Sequence, residues 1–332
     1  LSRIIIGIHG LGNKAPRKVL QQWWKKAIQE GLATIGQPHF CFNFELVYWA
    51  QILYPEPLDP NERDPRSPRY LEHPYLPARS YKNYEPNKLK TKVLRLLEKQ
   101  MDTILLNKDM SINFSAITDL IIRKYFNDLD IYFSRRAVTT QTAERLAKEV
   151  IREQLIKILE KHRGKEILLL AHSMGSIIAY DVLTLKETEI KINTLVTIGS
   201  PLGLPIVISK IFYEQNGKYS RDVRVRTPET VQKQWYNFSD LDDKVALDPT
   251  LSDDYEANTH HVHAVDVIIQ NDYEFNGERN PHNIYGYLRA PELAEVLHAF
   301  LSEDKPLFLC RWMNRINQWL YANIKKIKQL KK

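Results

Sequence analysis

The chain has 332 residues, 43% apolar and 26% charged, an ordinary globular composition with enough length for a sizeable core. Its two cysteines exclude a disulfide framework and fit a reducing compartment, and no run of about 18 apolar residues marks a membrane span. The net charge of +7 sits at one end: Leu307–Lys332 holds seven Lys/Arg and no acid, which leaves 40 basic and 40 acidic residues elsewhere, so a basic nucleic-acid-binding body is not expected.

Arg3–Ile8 (RIIIGI) is short and β-branched and reads as a buried strand. No charged region with a long apolar segment precedes it, so no signal peptide is visible and a cytoplasmic location is expected. HGLGNK follows at His9–Lys14, where two glycines permit a close backbone approach. Such a turn can also cradle phosphate, but GIHGLGNKAP matches neither G-x-x-x-x-G-K-[ST] nor a clean G-x-G-x-x-G, and no cofactor is expected. Ala15–Gly36 reads as a helix with Pro16 near its start, and Phe42–Ala50 as a second strand.

Between Tyr54 and Pro86 lie eight of the 17 prolines, which reads as an irregular arm. Asn87–Asn107 and Ser115–Phe133 have helical periodicity, and 51–139 reads as an insertion, either a lid or cap over the site or a packing subdomain away from it. Beyond it, helical patterns at Thr140–His162, Ser173–Lys186, Pro205–Glu214 and Pro291–Ser302 alternate with strands at Glu166–Ala171, Ile192–Ile198, Gln234–Ser239 and Val262–Gln270. Strands alternating with helices predict an α/β fold with a mostly parallel sheet of about six strands, its core formed by 1–50 and 140–306.

Ser173 occupies the bend between a buried strand and a helix, in AHSMG. A tight strand-to-helix turn lifts a hydroxyl above the carboxyl edge of the sheet and needs small residues two before and two after it; here they are Ala171, one methyl larger than the usual glycine, and Gly175. The competing reading is a buried serine capping the helix. A nucleophilic serine needs a base, and the base an orienting acid, both from later strand ends at the same edge. DLDDKVALD after the fifth strand offers Asp240, Asp242, Asp243 and Asp248. Asp243 is preferred because DKV turns the carboxylate back while Val245 anchors the loop, with Asp242 the main rival and Asp240 a weaker one. His282 is the one histidine between the end of the sixth strand and the next helix. His260, His261 and His263 lie at that strand's start, without a carboxylate or cysteine at zinc spacing, so no metal site is expected; His298 reads as structural. Two oxyanion donors are expected from the backbone N–H groups of Met174 and Leu11.

The segments IIIGIHGLGN, LLLAHSMGSIIAYD, LVTIGSPLGLP, WYNFSDLDDKVA and NPHNIYGYL together resemble the α/β-hydrolase family in its lipase and serine-esterase branch, over roughly 1–50 and 140–303. The resemblance implies that fold, with Ser173 as nucleophile, Asp243 as acid and His282 as base, cleaving an ester or lipid-like small molecule through an acyl-enzyme. A catalytically silent member that binds ligands in the same cleft, and an acyltransferase using the same three residues, are the alternatives. In the tail, Leu309, Trp312, Met313, Ile316, Trp319, Leu320, Ile324, Ile327 and Leu330 follow helical spacing with basic residues between them. That pattern suits a helix lying on an anionic membrane surface, against the plainer reading of a helix packed on the body or on a second subunit.

Overall fold

In the computed structural model, residues 2–78, 132–133, 137–139, 144–185, 190–216 and 225–302 are described. A single six-stranded sheet organises them: β1 (Arg3–Ile8), β2 (Phe44–Val47), β3 (Glu166–His172), β4 (Ile192–Ile198), β5 (Val231–Asp240) and β6 (Ala264–Ile269), in spatial order β6-β5-β4-β3-β1-β2. Every pairing is parallel. This is the mostly parallel α/β sheet that the alternating pattern predicts, and it fits the α/β-hydrolase architecture that the resemblance implies.

Both faces of the sheet are covered, which is why its strands read as continuous apolar runs. Ile4, Ile6 and Ile8 of β1 point into one core with Leu169 and Ala171 of β3, against α2 (Ala147–Lys161), α3 (Met174–Thr184) and α4 (Pro205–Asn216). Ile5, Leu168 and Leu170 point the other way, against α1 (Arg17–Thr34), α5 (Ile284–Leu288) and α6 (Pro291–Ser302). After β1 the chain goes to α1 on one face, and after β3 it goes to α3 on the other. The crevice between these diverging connections is where an open parallel sheet carries its ligand site.

Several boundaries differ from the sequence reading. The second strand shrinks to Phe44–Val47, because Ala50–Ile52 coils into a 3₁₀ turn. The helix expected from Thr140 begins at Ala147; Ala137–Thr139 and Glu144–Leu146 instead pair as an antiparallel hairpin. The arm is irregular but not detached. Asn13 Nδ2 donates to the Glu56 carbonyl at 2.7 Å, and the Leu58 N–H to the Lys14 carbonyl at 2.9 Å. Further on, Pro74 accepts from the Tyr273 hydroxyl at 2.6 Å and Leu76 from Arg289 Nη1 at 2.9 Å, while Tyr75 packs edge-on to Tyr285. The helices expected at Asn87–Asn107 and over most of Ser115–Phe133, and the tail helix at 307–332, lie outside the described residues. No described helix is long and apolar enough to cross a membrane.

Candidate functional site

Ser173 sits between β3 and α3 with φ 55° and ψ −128°. For a side chain with a Cβ this is a sparsely populated conformation, costing roughly 1–3 kcal/mol, and it persists only where surroundings over-determine it. They do so here. The Ser173 N–H donates to the Ile198 carbonyl at 2.9 Å, and its own carbonyl accepts from the N–H of Ser176 at 2.9 Å and from Ser176 Oγ at 2.5 Å. Since Ser176 Oγ gives its hydrogen there, it accepts from Ser200 Oγ at 2.7 Å, which in turn accepts the Leu202 N–H at 3.2 Å. Gly175 is required by packing: a Cβ there would lie 2.7 Å from the Ile8 carbonyl oxygen and 2.8 Å from that of His9. Ser173 makes no side-chain capping bond to α3, so the helix-cap reading of this serine does not hold.

The hydroxyl faces an imidazole instead. His282 Nε2 lies 3.0 Å from Ser173 Oγ, and its Nδ1 lies 2.9 Å from Asp243 Oδ2. The three groups come from the ends of β3, β5 and β6. Asp243 is buried, and its Oδ1 accepts the Val245 N–H at 2.8 Å, the anchoring that the DKV turn suggests. A carboxylate so bonded accepts from Nδ1–H, which leaves Nε2 as the acceptor for the serine proton.

The rival acids are occupied elsewhere. Asp240 accepts the Asn271 N–H at 2.6 Å and the Asp242 N–H at 2.8 Å, and it pairs with Arg279. Burial nevertheless raises its carboxyl to about 6, outweighing those donors. Asp242 takes the other arm of Arg279 at 2.8 Å. Asp248 bonds the N–H and hydroxyl of Thr250, each at 3.0 Å.

The loop after β1 meets the serine. A Cβ on Gly10 would fall 2.6 Å from Ser173 Cβ, so the backbone there touches the serine, and Leu11 is the next residue. Buried His9 fixes this loop. Its Nδ1 donates to the Gly10 carbonyl at 2.8 Å and its Nε2 accepts the Trp49 N–H at 3.1 Å, so the ring is neutral with its proton on Nδ1. Burial, reinforced by the charge of Lys14, pushes His9 down to about 3. Lys14 Nζ in turn donates to the carbonyl of Leu11. Met174, the first residue of α3, carries one of the N–H groups that have no carbonyl partner within that helix.

The sequence reading missed three contributors. His172 donates from Nε2 to the His282 carbonyl, Tyr287 bonds Asp243, and Ser176–Ser200 braces the bend. His172, beside the serine, was legible as a position but not as a contact. Tyr287 lies in a short helix that no periodicity signals. No group of three His, Cys, Asp or Glu among the described residues is arranged to hold a metal ion. His298 packs edge-on to Phe40, far from this edge of the sheet.

No curated protein matches the chain. Residues 125–273 match the family model of the PGAP1-like alpha/beta domain. The match takes in β3, β4, β5 and β6 with Ser173 and Asp243 and stops before His282. Together with the parallel sheet, this similarity supports a fold of the α/β-hydrolase type, the lipase- and esterase-like class, and a hydrolase-like function in general terms.

Proposed function

We propose that the protein is a serine hydrolase of carboxylic esters, with Ser173 as nucleophile, His282 as general base and Asp243 as the acid that orients it. One observation carries the reading: hydroxyl, imidazole and carboxylate stand in series at 3.0 and 2.9 Å, with the serine held in a strained bend. Ser173 Oγ attacks the acyl carbonyl while His282 Nε2 takes its proton. The tetrahedral oxyanion is received by the N–H groups of Met174 and Leu11, each such donor being worth roughly 10²–10³ in rate. His282 then protonates the leaving alcohol, and a water activated by the same imidazole clears the acyl-enzyme.

Half-buried Leu11 and Leu247, on the two loops that bring Gly10 and Asp243 to the serine, support an apolar, lipid-like acyl group as substrate. The cytoplasmic location rests on cysteine usage, and contact with an anionic membrane rests on the basic run at 307–332.

The test is a serine-directed fluorophosphonate probe together with a panel of esters of graded acyl length. The wild-type chain labels and turns over. Ser173→Ala does neither while keeping its circular dichroism spectrum and melting temperature. Turnover retained in that variant overturns the assignment.

A further inference from the structure

Tyr287 stands behind the carboxylate. Its ring is buried in α5, and its hydroxyl lies 2.9 Å from Asp243 Oδ2, the same oxygen that accepts from His282 Nδ1. On its other side the phenol oxygen accepts the N–H of Asp240 at 2.9 Å. That N–H can only donate, so the phenol hydrogen is left for Asp243. The second oxygen of Asp243 takes the N–H groups of Val245 at 2.8 Å and Ala246 at 3.4 Å. Both oxygens are therefore committed to donors, and rotation of the carboxylate would break several bonds at once. The far end of the chain is also held, since the Asp240 side chain is bonded to Asn271, Asp242 and Arg279.

We infer that Tyr287 is a positioning residue for the ester hydrolysis proposed above: it fixes the rotation of Asp243 and limits how strongly that carboxylate holds a proton on His282. The inference rests on that reading of the site. Burial, then the charges of Asp243 and Asp240, raise the phenol well above its ordinary range, so it remains a donor throughout the working pH. The other ionisable groups around the pair are His172 on β3, Asp240 and Asp242 at the end of β5, exposed Lys244, Arg279, and His9 and Lys14 in the loop after β1.

Tyr287→Phe keeps the ring and removes one donor. The charge of Asp243 is then less dispersed and favours the imidazolium, so the acidic limb of the kcat/KM profile moves to higher pH. The expected result is a kcat about tenfold lower, KM within about twofold, and an acidic limb about half a pH unit higher. Placing 3,5-difluorotyrosine at 287 gives a stronger donor of nearly the same shape, and the limb moves to lower pH. If the Phe variant fails to fold, the fluorinated chain decides by its limb alone. A limb that stays at the wild-type pH overturns the inference even where kcat falls, because loss of packing alone does not move it. Wild-type protein without ester hydrolysis overturns the parent reading and this one with it; an active wild type with an unmoved limb overturns only the role of Tyr287.

Discussion

His172 Nε2 donates to the backbone carbonyl of His282 across 3.0 Å, and the two rings lie 4.8 Å apart. The residue before the serine thus holds the loop that presents the imidazole. His172→Ala leaves that carbonyl without its donor, at a cost of about 1–3 kcal/mol, and frees the loop. We expect a lower melting temperature and a kcat reduced by roughly 10–100-fold, with fluorophosphonate labelling slowed in proportion. Labelling at the wild-type rate would show that the loop is held without it.

The acid is the most selective test of the site. Asp243→Asn places an amide where His282 needs an acceptor and should reduce kcat by about 10⁴, the scale expected when the imidazole is left in the wrong tautomer. Asp242→Asn, whose carboxylate pairs with Arg279, should stay within about threefold of wild type. Steady-state kinetics on one ester separates the two.

Gly199, at the end of β4, has φ 51°, and a Cβ there would fall 2.8 Å from Asp243 Oδ2 and 3.2 Å from His282 Nδ1. Gly199→Ala should therefore cost about 1–2 kcal/mol of stability and at least about 100-fold in kcat. Denaturant unfolding and turnover measured on the same preparation check both parts.

Buried imidazoles set the acid limit of the fold. His9 is pushed down to about 3, and His172 well below its ordinary value, by burial and then by the neighbouring positive charge. An unfolded histidine protonates near 6.5, so below about 6.5 and down to about 3 the unfolded chain binds more protons than the folded one, and stability falls with pH. Asp240 opposes this. Its carboxyl is raised to about 6, so between about 4 and about 6 the folded chain holds the extra proton and gains stability as pH falls. Burial raises Asp266, Asp272, Glu292 and Glu295 in the same sense as Asp240, while Glu45, Glu153, Glu166 and Glu229, lowered by their partners, act with the histidines. Relative to wild type, the change in urea midpoint between pH 7 and pH 4 should shift toward greater stability at pH 4 in His9→Gln and toward lower stability at pH 4 in Asp240→Asn.

The basic run at 307–332 predicts adsorption to vesicles containing anionic lipid, with each Lys or Arg near the surface contributing about 1 kcal/mol. Deleting 307–332 should lower binding to such vesicles at least about tenfold and leave hydrolysis of a short soluble ester unchanged. Sedimentation with vesicles of defined composition measures it, and equal binding by both chains sinks the membrane reading.

The sheet was legible because its strands are buried on both faces: RIIIGI and EILLLAH leave no alternation to confuse with an exposed strand. The bend at Ser173 was legible from small residues at fixed offsets, and place after strand ends narrowed its neighbours to one acidic loop and to His282, leaving Asp242 beside Asp243 as a rival. What escaped was whatever depends on contacts across the chain. Tyr287 reads locally as one more aromatic in IYGYL, and its hydroxyl gains meaning only when β5 brings Asp240 and Asp243 alongside. The hairpin before α2 was missed because its three-residue strands are too short to show a period.

The stretch between β2 and α2 contributes side chains to both hydrophobic cores. Tyr75 and Leu76 join the side of α1 and α5, whereas Tyr132 and Phe133 join the side of α2, where the Tyr132 hydroxyl bonds Asp181 at 2.5 Å. Anyone trimming this protein to a minimal catalytic unit should therefore cut within 79–131 and retain both stubs. Excision back to residue 51 would strip an aromatic plug from each side of the sheet at once.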